Sequence, residues 1–181
     1  MEELLKDSRI ILKKIEQLKT IINVRSLLFK IVVILTIVYV VFTYCFGVLR
    51  MHGISMVPSI SDGDLVVYYR LDKQYISGDI VVFKNDESTY VLRIVATEGQ
   101  TVDINGSGEL MINNHVEEEQ SYFKTEEAEE SNISFPYVVE EGKIFVIGDY
   151  RVESKDSRIF GAIDKENIKG KVLSILRTRD V

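Results

Sequence analysis

Ser55 sits in a stretch built to expose a hydroxyl. The run Gly53-Ile54-Ser55-Met56-Val57-Pro58-Ser59, followed by Gly63-Asp64, places Gly, Ser and Pro close together. Such residues make a sharp, partly rigid turn. A turn of this kind can present a hydroxyl beside free backbone N–H groups, which is what an acyl-transfer nucleophile and its oxyanion hole require. The same residues also occur in ordinary turns, so the motif alone does not establish chemistry. His52 precedes Ser55 by three positions, and the only other histidine is His115. Two histidines are too few for a convincing zinc site. The lone Cys45 lies in an apolar run, which rules out an intrachain disulfide and a cysteine-based metal site. No metal or cofactor is implied. The formal net charge of −6 argues against a nucleic-acid partner, because phosphate binding needs clustered Lys and Arg.

Three further segments stand in order behind the turn: Ser77–Phe83 (SGDIVVF), Tyr90–Gly99 (YVLRIVATEG), and Gly148–Arg151 running into Ser154–Arg158 with Phe160-Gly161. Together with SMVPS they resemble the four ordered boxes of the bacterial type I signal peptidases (peptidase family S26), of the Gram-positive type. The resemblance runs from the apolar segment before Ser55 to about Gly161. It implies a mostly antiparallel β-domain that touches the outer membrane surface. It also implies cleavage of signal peptides from exported preproteins after small residues, commonly Ala-x-Ala, by a Ser/Lys dyad. On that resemblance Ser55 matches the nucleophile, and its own N–H contributes to the oxyanion hole. Gly53 stands where some members carry a second hydroxyl, as in many Gram-positive relatives. Met56 and Pro58 shape the turn. Gly148, Asp149, Asp156, Ser157 and Arg158 match the final box, where Ser157 would orient the lysine and the acid–Arg pair would brace the loop.

One position breaks the pattern. The family's general base is a Lys immediately before the Arg of the third box, and here Leu92 precedes Arg93. A serine hydroxyl is a weak nucleophile until a base takes its proton. Leucine has no lone pair, and the guanidinium of Arg93 stays protonated at ordinary pH. Lys84 is near in sequence. However, a hairpin turning at Asp86 and Glu87 pairs it with Thr89 and puts it on the face opposite Leu92. Lys155 and His52 are the other groups to consider. Gln100 replaces the usual Asp after Gly99, and Tyr150 the usual Asn after Asp149. These departures resemble a pilus-associated, signal-peptidase-like subgroup that assists pilin assembly without an evident dyad. Two functions therefore stand side by side: a membrane-bound serine endopeptidase, and a catalytically inactive chaperone or assembly factor for secreted or pilin subunits. The partners are signal peptides of exported preproteins or pilins, together with the lipid bilayer.

The positioning elements are also legible. Ile31–Leu49 carries no charge and is bracketed by Lys30 and Arg50. At about 1.5 Å rise per residue it nearly spans a hydrocarbon core of ~30 Å. It is longer and later than a typical cleaved signal core, so 31–49 is expected to be an uncleaved transmembrane anchor. Lys6, Arg9, Lys13, Lys14, Lys19, Arg25 and Lys30 precede it, and the chain beyond it is acidic. That asymmetry predicts a single-pass protein of the cytoplasmic membrane, with its N-terminus in the cytoplasm and its C-terminal domain outside. Within residues 1–30, Leu4, Ile11, Ile15, Leu18 and Ile22 share one helical stripe. They suit an amphipathic helix on the inner leaflet or a short coiled coil.

Residues 50–181 form the extracytoplasmic domain. Strands are expected at Leu65–Arg70, Asp79–Phe83, Tyr90–Val95, Thr101–Ile104, Lys143–Ile147 and Gly170–Arg177, with a helical turn at Asp164–Ile168. Short strands in series predict an all-β barrel or sandwich. An acidic stretch at about 106–142, densest from Glu117 to Glu130, is expected as a solvated insertion. The substrate should be extended, adding along a strand edge.

Overall fold

The computed structural model describes residues 2–117, 124–125, 131 and 133–177; for residues 2–12, 15 and 17 it describes the backbone alone. Most of the Glu117–Glu130 acidic run, and the side chains of Leu4, Ile11 and Ile15 in the expected stripe, lie outside the described residues. Leu18 and Ile22, the rest of that stripe, are exposed.

Helix α1 covers Glu2–Cys45 without a break. No Gly or Pro occurs before Gly47, so nothing in the sequence interrupts it. The helix therefore runs straight through the boundary expected at residue 30. Its segment Leu18–Cys45 has a mean hydropathy of 2.5, carries no buried share and is long enough to cross a membrane. The helix ends four residues before the expected limit of the apolar run. Phe46–Arg50 instead form strand β1, where Gly47 faces the ring of Tyr68 and Cys45 O accepts from Arg70 N–H.

The rest of the described residues are mostly antiparallel β. The strands are β2 (Leu65–Tyr69), β3 (Ile80–Asn85), β4 (Ser88–Thr97), β5 (Thr101–Ile104), β6 (Leu110–Ile112), β7 (His115–Val116), β8 (Tyr137–Val138), β9 (Lys143–Ile147), β10 (Ile163–Asp164) and β11 (Ile168–Leu176). They form a seven-stranded sheet in the order β1-β2-β11-β3-β4-β9-β10 and a four-stranded sheet in the order β7-β6-β5-β8. The β3–β4 hairpin turns at Asp86, whose φ is +51°, and pairs Lys84 with Thr89.

Strand β9 contributes to two separate buried clusters. Ile144 and Val146 enter one buried cluster, with Phe83, Leu92, Met56 and Ile60. Phe145 and Ile147 enter the other, with Val102, Leu110 and Val139. A strand buried on both faces reads as a continuous apolar run, as KIFVI does. A bulge in β4 between Ile94 and Ala96 lets that strand serve both clusters as well. Within about 106–142, Leu110 opens β6 and Val139 follows β8, and both are buried in the second cluster. A one-turn helix, α2 (Ser157–Phe160), also lies inside the final box.

Candidate functional site

Backbone hydrogen bonds pin the Ser55 turn at both ends. Met51 N–H donates to Asp64 O (2.8 Å) and Gly63 N–H returns the bond to Met51 O (2.9 Å). Gly53 N–H donates to Asp62 Oδ1 (2.8 Å). Gly53 has φ +86°, in the left-handed region, and so belongs there by backbone need. Val57 N–H and Ile60 N–H close short turns onto Ile54 O and Met56 O, at 3.0 and 2.8 Å. Met56 and Ile60 are fully buried and anchor the turn, while Pro58 is exposed and Ser55 half-buried.

The final box packs onto the backbone of this turn. Tyr150 N–H donates to Ser55 O at 3.0 Å. A Cβ on Gly148 would overlap both Ser55 O and Ser154 Oγ, so only glycine permits that approach. Asp149 takes a two-pronged bond from Arg93, with Nε at 2.8 Å and an NH2 nitrogen at 2.7 Å. Arg93 also donates to Gly78 O (3.0 Å) and Ser59 Oγ (3.2 Å), joining all four sequence boxes through one side chain. Behind it, Asp156 caps α2. Its Oδ1 accepts from Arg158 N–H (3.1 Å) and Nε (2.9 Å), and its Oδ2 from Arg158 NH2 (3.0 Å) and Gly148 N–H (3.1 Å). Asp156 and Arg158 are both buried, so this pair is compensated within the fold. Ser157 Oγ accepts from Val146 N–H at 3.0 Å, which ties the box to β9.

Leu92 is 1% exposed and shares its cluster with Met56, the residue after Ser55. Lys84 is exposed and paired across from Thr89, away from this cluster. Gln100 Oε1 accepts from Thr97 N–H (2.7 Å) and Oγ1 (3.1 Å), closing the turn after β4, so its role there is local. A groove of 670 Å³ opens beside the turn, and Ser55, His52 and Lys155 share its wall with Tyr90 and Arg50. The sequence reading quoted Ser59, Tyr90 and Arg50 but gave them no role at the site. Ser59 and Tyr90 could have been found from their places in SMVPS and in the third box, whereas Arg50 carries no motif. Among the described residues, no group of three His, Cys, Asp or Glu side chains is placed to hold a metal ion.

A family model described as "Signal peptidase, peptidase S26" matches residues 24–176, most of the chain. The chain belongs to the S26 signal peptidase family. By family it is a signal peptidase I, a serine endopeptidase. It is 30% identical over 151 residues to signal peptidase I of Bacillus licheniformis, covering 77% of this chain and 81% of that protein. It is 32% identical over 166 residues to signal peptidase IB of Staphylococcus aureus (strain COL), covering 78% and 83%. Thylakoidal processing peptidase 1 of the Arabidopsis thaliana chloroplast is 34% identical over 134 residues, covering 65% of this chain and 38% of that protein. A crystal structure of a signal peptidase I from Enterococcus faecalis superposes with a TM-score of 0.46 at 24% identity, over 56% of this chain and 97% of that one.

Proposed function

We propose that this family member acts on the signal peptides of exported preproteins at the outer face of the cytoplasmic membrane, with Ser55 as nucleophile and α1 as a single-pass anchor. One observation carries this reading. Ser55 lines a groove while its carbonyl is tied to Tyr150, in the loop that Arg93, Asp149, Asp156 and Arg158 brace. A serine held this way can attack the carbonyl of the small residue itself, and its own N–H can face the developing oxyanion. Strand β1 is an edge of the seven-stranded sheet, and its residues Val48–Arg50 line the same groove. An extended signal-peptide segment can therefore pair with β1 beside Ser55.

Leu92 limits the rate. With no base at that position the chain forfeits the roughly 10²–10⁴-fold that a positioned base contributes. His52 and Lys155 are the side chains of the groove wall that could stand in for the missing base. A second reading rests on the same leucine. Its burial among Met56, Val81 and Ile94 leaves a closed apolar core where a base would stand. This favours a protein that binds secreted or pilin subunits without turnover.

Cleavage of an Ala-x-Ala preprotein by the full-length protein in detergent tests both, with Ser55→Ala, His52→Ala and Leu92→Lys in parallel. Slow cleavage that vanishes in Ser55→Ala and rises steeply in Leu92→Lys supports the peptidase. Binding with no cleavage by the chain or by Leu92→Lys supports the assembly partner.

A further inference from the structure

The chain is acidic overall, yet the groove beside Ser55 is not. Arg50 on β1, Lys155 just before α2 and Lys169 on β11 reach its wall from three separate parts of the chain, against one carboxylate, Glu153. All four side chains, and His52 with them, are exposed. Elsewhere, Lys143, Lys165 and Lys171 each meet a carboxylate within ion-pair distance. Among the described residues Arg50, Lys155 and Lys169 meet none; Lys169 Nζ donates only to Thr89 Oγ1, at 2.9 Å. Cations gathered about one concavity repel each other, and each stabilises an anion placed between them. The rest of the lining includes Val48, Ile54 and Tyr90, which suit apolar and small side chains.

Building on the peptide-groove reading above, we propose that the groove selects polypeptides in which Asp or Glu side chains flank the small residues presented to Ser55. The carboxylates would sit against Arg50, Lys155 and Lys169, while the small residues face the turn. The attraction acts through solvent, so it sets preference among substrates and weakens with salt.

The test uses full-length Ser55→Ala protein in uncharged detergent and three labelled peptides, each an Ala-x-Ala core flanked by Glu, by Gln or by Lys. At low salt the Glu-flanked peptide should bind about tenfold more tightly than the Gln-flanked one, as two or three exposed ion pairs allow. High salt should erase that difference. Lys169→Gln should cost about two- to threefold for the Glu-flanked peptide alone. Combined Arg50→Glu, Lys155→Glu and Lys169→Glu should reverse the order toward the Lys-flanked peptide, with an unchanged unfolding temperature showing that the protein is folded. Equal binding of the Glu- and Gln-flanked peptides would overturn the selectivity and leave the peptide groove standing. A preference that survives the triple reversal would overturn it too. Binding of none of the peptides would remove the groove reading and this inference together. Displacement of every peptide alike by phosphatidylglycerol micelles would assign the cations to lipid head groups instead.

Discussion

Leu92 and Met56 lie in one buried cluster, so the position proposed to lack its base is packed with the turn that holds Ser55. A lysine introduced at Leu92 would be desolvated, and desolvation lowers an ammonium's pKa. In Leu92→Lys the cleavage rate should therefore climb as pH rises through that lowered value and then level off. A pH–rate profile measures this, and a flat profile would deny the lysine a role as base. The buried pair behind the turn offers a stability counterpart. Asp156→Ala leaves the Arg158 guanidinium buried without its carboxylate and removes the acceptor of Gly148 N–H, a change expected to cost about 3–5 kcal/mol in denaturant unfolding. Much at this scale was readable beforehand. The box residues announce themselves by type and order, whereas the pairing of Arg93 with Asp149 and of Asp156 with Arg158 is read from the structure. What could not be read was the contact between Arg93 and Ser59, or that Ser157 Oγ receives the Val146 N–H. Those depend on how distant strands stack.

Among the elements, the regular strands were legible because β-branched residues and flanking turns coincide, as in β2, β3 and β5. Strand β1 was not. Its Phe46–Leu49 segment continues the apolar run of α1 with no polar break, and the partner that draws it into a sheet is β2. The short strands β6 and β8 hid because two or three residues are too few to show an alternating pattern. The strand contacts themselves are tight. A Cβ on Gly170 of β11 would collide with the Tyr69 backbone of β2, which cannot swing aside as a side chain can. Gly170→Ala should therefore destabilise the domain by about 1–3 kcal/mol, read from chemical unfolding. An unchanged midpoint would mean that the pairing of β2 and β11 is looser than described.

For the molecule as a whole, one exposed carboxylate and one half-buried carboxylate report on acid stability. Bonds from Gly142 N–H and then Lys165 hold Glu98 below its ordinary 4.5, and bonds from Gln74 N–H and then Lys171 hold Asp72 below its ordinary 3.8. Both are lowered, so their stabilisation is full above those ordinary values and is lost as pH falls through the depressed native ones. Unfolding midpoints should hold steady from neutral pH to about pH 5 and decline below about pH 4. Glu98→Gln together with Asp72→Asn should flatten part of that decline. The anchor reading is checked separately: the protein should remain in the membrane pellet after alkaline carbonate extraction. In intact protoplasts, external protease should remove the domain beyond Arg50 and spare an N-terminal tag. Protection of the domain would reverse the proposed orientation.

The place of β11 in the large sheet has a consequence for how the protein is made. It lies between β2 and β3, although more than sixty residues separate it from either in the chain, so the two halves of that sheet have no joint until Ile168–Leu176 has been synthesised. Loop closure over such distances is slow, and local hairpins cannot stand in for it. A nascent chain stalled on the ribosome with Gly161 as its newest residue should be digested readily by protease. One carrying β11 clear of the exit tunnel should resist. The domain would thus stay pliable throughout its emergence and set only once its last strand arrives.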